Sequence, residues 1–262
     1  MFNMFNMNNG GIGIGIGIGS NFNNFDINTI LKNNDIQPRV QTHLKNVYLA
    51  LSCCMLCCVL GAYCNIKYNI GSSGLWFMVS FGLMYWLHTD LNKNNIKKRI
   101  CILCSYGFVQ GLTIGGLIEY AYYINPNIIY MSFSSTIIIF LTFSGAALVA
   151  KRRSYLYLGS ILSSTMSILC IMSFFNAFVS RSETIDTLRL VIGTLVFSGF
   201  IIFDTQLIIE RASNSNTNGS GQYDCIGDAM KLFTDVFGLF IRIVRLLLEK
   251  DKRDKRRKTN NR

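Results

Sequence analysis

The feature that most constrains this chain is a series of apolar runs that begins at Val47 and is interrupted only by short polar breaks. A helix that crosses a bilayer needs about 17 to 25 mostly apolar residues, and each run is of about that length. The seven candidate spans are 47–64, 70–87, 100–124, 128–150, 154–179, 188–209 and 225–248. Lipid offers no partners to backbone groups, and the runs lack the period-two alternation of barrel strands. The predicted fold class is therefore an all-α, polytopic membrane helix bundle.

Composition supports a membrane protein and locates its positive charge. Only 15% of the 262 residues are charged, whereas soluble domains carry about 25%. This apolar content excludes a disordered chain and a disulfide-stapled secreted domain. Residues 250–262 hold eight Lys/Arg against two Asp, which gives this segment alone +6. A basic tail of this kind is suited to acidic lipids or protein partners, and we expect no nucleic-acid binding.

Three regions follow from these patterns. Residues 1–46 are Asn-rich and contain a Gly-Ile repeat, which is predicted to be a disordered tail because such a segment cannot build a core. No cleaved signal peptide is visible in it, and the repeat lacks the context of a phosphate-binding loop. Residues 47–249 form the predicted seven-helix transmembrane domain, and residues 250–262 form the basic C-terminal tail.

Basic residues in the short loops predict the orientation of the chain. Loops 93–99 and 151–153 are basic, whereas loop 125–127 has no Lys or Arg. The N-terminus is therefore expected to be cytosolic, and a full seventh crossing would place the basic tail on the opposite side. Two alternatives stay open: the seventh segment enters the membrane and returns, or it crosses despite the charge rule.

The seventh segment carries a polar stripe along an otherwise apolar helix. Its polar and charged members fall within roughly a 100° arc of a helical wheel; they are Asp228, Lys231, Asp235, Arg242, Arg245 and Glu249. One interpretation is an amphipathic helix on the membrane surface. The interpretation that we favour is a helix inside the bundle whose stripe lines a wet cavity, because Asp235 lies between Phe233 and Phe237.

Two acidic residues are predicted to meet within the membrane. Asp204 lies about 12 Å inside the end of the sixth span, and Asp235 lies ten residues after Cys225, so both are at similar depth. Facing carboxyl groups cannot both ionise cheaply, and we expect the pair to share a proton. Such residues usually mark ion paths or proton relays. Asp204 and Asp235 are thus a candidate pH sensor and gate, with a purely structural pairing as the alternative.

Three further residues are weaker candidates. Asp228 and Glu119 could add oxygen ligands along an ion path, since oxygen ligands suit calcium, although Glu119 could equally reach water at a span end. Arg99 is the best candidate for a latch, and the alternative is an orientation signal in a solvated cluster. No metal is expected to be fixed and no cofactor bound; calcium would bind transiently at Asp204 and Asp235 as the transported ion.

Two chemical patterns in the chain are interpreted as structural. Cys53, Cys54, Cys57 and Cys58 have spacings that could bind a soft metal, but they lie in an apolar span where thiols behave as small hydrophobic groups. Fragments near Asp224 and Asp228 resemble motifs of intramembrane aspartyl proteases, but both fall within six residues instead of on two helices. The chain is therefore not expected to be an enzyme.

Three segments resemble one known family. They are FDTQLIIERA at 203–212, AKRRSYLYLG at 150–159 and DAMKLFTD at 228–235, the last followed by a charged tail. These segments are similar to the Bax inhibitor-1 family, and the similarity extends from about residue 47 to residue 258.

The resemblance implies properties that the residues alone do not. It implies a central, polar seventh helix wrapped by six others, in a protein of the endoplasmic reticulum membrane that suppresses stress-induced cell death and permits a pH-dependent calcium leak. It also implies that Asp204 and Asp235 are the pH sensor and that a basic residue such as Arg99 is a latch. Membrane lipids, calcium and other membrane proteins of the cell-death machinery are the implied partners. A different class remains open, namely an interaction protein for which transport is incidental.

Overall fold

A computed structural model describes residues 38–70, 74–90, 95–149, 157–178, 183–214 and 224–260. This part of the chain folds into helices and contains no strand. The helices are α1 (Pro38–Tyr68), α2 (Gly74–Thr89), α3 (Ile96–Ile124), α4 (Asn127–Val149), α5 (Leu158–Phe178), α6 (Glu183–Asn214) and α7 (Cys225–Asn260). Five of them, α1 and α3 to α6, are long and apolar enough to cross a membrane. The predicted class, an all-α polytopic membrane bundle, is confirmed.

The ends of the bundle differ from the predicted boundaries. Helix α1 begins at Pro38, so residues 38–46 are helical and do not belong to a disordered tail. Proline is favoured in the first turn of a helix, because the N–H that it lacks would have no partner there. The prediction for the residues before Pro38 lies outside the described residues. At the other end, α7 continues through the basic segment to Asn260, where cations interact favourably with the helix dipole.

Small residues bring α1 and α3 into close contact. Gly107, Gly111 and Gly115 are spaced four apart on α3, and a Cβ atom at each would collide with α1. The atom met by Gly111 is the backbone carbonyl oxygen of Cys58, and Gly115 faces the side chain of Asn65. Asn65 is buried and donates a hydrogen bond to the carbonyl of Leu112 at 2.7 Å. This is the small-residue packing by which membrane helices approach one another.

The outward faces of the helices are apolar. Large hydrophobic side chains are exposed on most helices, among them Leu56, Tyr85, Phe133, Ile161 and Leu195. A water-soluble bundle would bury such side chains against other elements. Their exposure around the bundle is what a surface in contact with lipid requires.

Helix α7 packs inside the assembly, against α1, α3, α4 and α6. Its apolar side chains Leu232, Phe233, Leu239 and Val244 are buried. The packing of α7 against four other helices contradicts a helix that lies on the membrane surface, and its continuity contradicts an entry and return. A full crossing of the membrane by α7 stays a prediction. The enclosure of α7 by all six other helices stays a prediction.

The two ends of α7 lie at opposite ends of the bundle. Its first turn contacts the beginning of α1, since the Sγ of Cys225 is 3.1 Å from the Nδ1 of His43. Its C-terminal part contacts the end of α3, where Lys252 lies over the ring of Tyr120, and the beginning of α6, where Arg253 donates to Thr187 at 2.5 Å. Helix α7 thus runs the full height of the bundle.

Candidate functional site

The structure brings Asp204 of α6 and Asp235 of α7 together. Their carboxyl groups lie close enough to interact with each other. Asp235 is buried, Asp204 is partly buried, and Oδ2 of Asp235 has no hydrogen-bond partner within the described residues. A carboxylate oxygen only accepts hydrogen bonds, so a bond between two carboxyl groups requires a proton on one of them. We call these two residues the carboxylate pair.

Hydroxyl and amide groups lie at about the same height in the bundle as the carboxylate pair. Next to Asp235, Thr234 lies 3.3 Å from the hydroxyl of Tyr106, which in turn accepts a hydrogen bond from Gln110 at 2.9 Å. Next to Asp204, Thr205 lies near the hydroxyl of Tyr48, which is 2.5 Å from that of Ser144. These polar groups come from several helices, so the part of the core next to the pair is not purely apolar.

A second acidic cluster lies at the beginning of α7. The buried guanidinium of Arg99, on α3, forms two charge-assisted bonds with Asp224, at 2.7 Å and 2.8 Å. Asp224 precedes α7 and accepts a hydrogen bond from the backbone N–H of Gly227 at 2.9 Å, so it also caps the helix. Arg99 therefore clamps the first turn of α7 to α3.

Asp228 is held by two basic side chains. Its Oδ2 is 3.2 Å from the Nε2 of His43, and its Oδ1 is 3.0 Å from the Nη1 of Arg211. His43 belongs to α1 and Arg211 to α6, so one carboxylate joins three helices. We call Arg99, Asp224, His43, Asp228 and Arg211 the charged layer.

The predicted site residues thus fall into three places. Asp204 and Asp235 meet. Asp228 and Arg99 lie instead in the charged layer, where Arg99 pairs with Asp224. Glu119 is exposed on α3 close to its C-terminal end, at the other end of the bundle from the beginning of α7. Neither the gate role nor the ion-path roles follow from these positions alone.

Sequence reasoning missed the contribution of His43, Arg211 and Asp224. One usable signal was the N-cap preference for aspartate, which marks Asp224 just before the apolar pattern of α7. His43 and Arg211 carry no such local signal, because their partner lies 185 and 17 residues away in the chain. Only the packing of the helices brings them to Asp228.

Three cysteine sulfurs come together between α1 and α3. Those of Cys53, Cys57 and Cys104 lie within 4.8 Å of one another, and Cys53 and Cys104 are 3.6 Å apart. Cys53 and Cys57 are one helical turn apart, and Cys104 comes from α3, which no spacing within α1 could have indicated. All three are free thiols.

The bundle and its buried acidic residues define a class: a multi-pass helical membrane protein with ionisable groups enclosed between its helices. Comparison with known proteins gives the family. A family profile described as "Inhibitor of apoptosis-promoting Bax1" matches residues 40–252, and the chain belongs to this family.

Curated relatives match over most of their own length. The chain is 36% identical over 237 residues to a probable Bax inhibitor 1 of Paralichthys olivaceus, covering 90% of this chain and 97% of the relative. It is 37% identical over 220 residues to Bax inhibitor 1 of Arabidopsis thaliana, covering 84% and 86%. It is 36% identical over 238 residues to Bax inhibitor 1 of Homo sapiens, covering 89% and 97%.

Proposed function

We propose that this chain suppresses cell death from within the endoplasmic reticulum membrane and lets calcium leak through a gate formed by the carboxylate pair. The coarser part of this proposal, a multi-pass membrane protein of the Bax inhibitor family, has its basis in the fold and the relatives. The observation that supports the gate is the contact of Asp204 and Asp235 between α6 and α7.

The chemistry of the gate rests on the shared proton. While one carboxyl group is protonated, the pair holds α6 and α7 together by a hydrogen bond. When the proton leaves, two like charges face each other away from water, which is unfavourable. The same change presents carboxylate oxygens, the ligands that calcium prefers. A leak needs only weak, open coordination of this kind.

Calcium flux into proteoliposomes tests the gate. We expect the double variant Asp204→Asn and Asp235→Asn to lose the pH dependence of the flux, because an amide pair cannot exchange the shared proton in this range. The matched control is Asp251→Asn with Asp254→Asn, which makes the same two Asp→Asn substitutions in the C-terminal part of α7. Unchanged flux and unchanged pH dependence in the first variant would exclude the carboxylate pair as the gate.

Location and cell protection need separate measurements. A fluorescent fusion of the full chain should coincide with a marker of the endoplasmic reticulum membrane. In stressed cells, the full chain should increase survival relative to an empty vector. Survival without a change in calcium flux would favour the second candidate function.

The second candidate is an interaction protein that binds other membrane proteins. It is favoured by the exposed basic residues of α7 beyond Lys250, which extend from the apolar part of the bundle on a regular helix. Deletion of residues 250–262 separates the two functions: lost cell protection with retained calcium flux indicates binding of partners through the tail, whereas loss of both indicates a structural role of the tail.

A further inference from the structure

A pocket of about 160 Å³ lies between α5, α6 and α7. Three arginines line it: Arg189 of α6, and Arg242 and Arg245 of α7. Ser173 and Cys170 add polar groups, and the remaining lining side chains are apolar, namely Met166, Leu169, Leu190 and Ile241. The pocket contains neither member of the carboxylate pair, so a ligand could bind there whether or not that pair forms a gate.

The pocket holds more positive than negative charge. Arg189 pairs with Asp186 at 3.0 Å and donates a hydrogen bond to the hydroxyl of Ser173 at 2.6 Å. Arg242 and Arg245 have no carboxylate within ion-pair distance in the described part of the chain. Three guanidinium groups thus face one carboxylate. Unpaired charge inside the membrane is costly, so a bound anion would stabilise this arrangement.

Arg242 is held in place before any ligand binds. Its guanidinium lies 4.0 Å from the centre of the Phe197 ring, and its Nη1 donates to the carbonyl of Gly238 at 3.2 Å. A Cβ atom at Gly193 would collide with the Arg242 side chain, so the absence of a side chain there makes room for it. A fixed guanidinium offers paired N–H donors that match phosphate oxygens.

The pocket lies near one end of the bundle, within reach of a phospholipid headgroup. Ser173 is five residues before the end of α5 at Phe178, and Arg189 is six residues after the beginning of α6 at Glu183. At 1.5 Å per residue these side chains lie roughly 8 to 9 Å inside the helix ends. Next to them, Phe174 and Leu188 are exposed on the outer surface. An occupant that enters between such side chains must itself carry apolar chains.

We propose that this pocket binds the phosphate headgroup of an anionic phospholipid. Arg242 and Arg245 contact the phosphate, and Arg189 closes its third side while Asp186 holds Arg189 in position. One acyl chain lies along Met166 and Ile241, which are partly exposed. The net charge of the lipid distinguishes it from phosphatidylcholine, and its acyl chain distinguishes it from soluble phosphate. Basic pockets between membrane helices recognise lipid headgroups by this combination.

Native mass spectrometry of the full chain in detergent micelles tests the proposal. Phosphatidylglycerol is the anionic probe, phosphatidylcholine the zwitterionic comparison, and inorganic phosphate the soluble comparison. We expect one tightly bound phosphatidylglycerol in the wild type and weaker binding of the other two. With about one kcal/mol for each cation near the headgroup, Arg242→Gln with Arg245→Gln should weaken phosphatidylglycerol binding about thirtyfold.

Two further variants separate charge from geometry. Lys45→Gln with Lys97→Gln removes the same charge from exposed positions at the other end of the bundle and should leave binding unchanged. Arg242→Lys with Arg245→Lys keeps the charge but loses the paired donors, so it should fold and bind phosphatidylglycerol with intermediate affinity. Equal binding by the Gln variant and the wild type, or equal binding of inorganic phosphate and phosphatidylglycerol, would overturn the proposal.

Discussion

At the scale of single residues, the acidic side chains near the beginning of α7 have two kinds of neighbour. Asp224 and Asp228 face basic groups: Arg99 for the first, His43 and Arg211 for the second. Asp235 faces another acid, Asp204. A buried ion pair fixes a helix in one position, whereas an acid pair depends on a proton. The same helix is therefore anchored by ion pairs at its beginning and meets a second acidic side chain two turns later.

The clamp between Arg99 and Asp224 leads to a prediction about stability. Asp224→Ala should lower the free energy of unfolding by about 3 kcal/mol, because it leaves the guanidinium of Arg99 buried without its partner. It also removes the N-cap of α7, which contributes about 1 kcal/mol. Denaturation in detergent micelles, followed by circular dichroism, measures the loss.

A cap-preserving variant separates the two contributions. Asp224→Ser keeps an N-cap side chain but loses the ion pair, so it should be more stable than Asp224→Ala and less stable than the wild type. In the Arg99→Leu background, Asp224→Ser should cost little, since the pair is already broken. Full additivity of Arg99→Leu and Asp224→Ser would show that the two side chains do not interact.

At the scale of elements, α1 and α3 form the closest helix pair because glycines remove the side chains between them. Gly111→Leu should lower the free energy of unfolding by about 1 to 3 kcal/mol, the range for overpacking. The reason is that the new side chain meets the backbone of Cys58. The control is Gly82→Leu, since Gly82 has open space where a Cβ would be added. Equal thermal stability of the two variants in micelles would contradict the close packing.

The elements were largely predictable from sequence, and the site only in part. The apolar runs predicted seven helices in the right order because span length is a strong physical constraint. The start at Pro38 was missed because residues 38–46 are mostly polar, and the length of an apolar run carries no information about them. Asp204 and Asp235 could be paired by depth along their helices. Their neighbours, and the partner of Arg99, depend on how the helices rotate and pack, which no periodicity within one helix determines.

At the scale of the whole molecule, the two ends of the bundle are both basic. The end with the beginning of α1 carries the basic loop residues Lys97 and Lys98, and the other end carries the C-terminal part of α7. Basic residues in loops usually set orientation, but here they oppose one another. We expect the length and continuity of α7 to decide the outcome, since one uninterrupted helix that enters the membrane does not return to the side on which it began.

The molecule as a whole therefore predicts that its two termini lie on opposite sides of the membrane. Epitope tags at the N-terminus, at the C-terminus and between α6 and α7 can be compared by protease protection in sealed microsomes. The tag between α6 and α7 should behave like the N-terminal tag, because Arg211 and His43 both contact Asp228. The C-terminal tag should behave oppositely, because Arg253 contacts Thr187 near the beginning of α6. Protection of both terminal tags, or digestion of both, would mean that α7 does not cross the membrane in the cell.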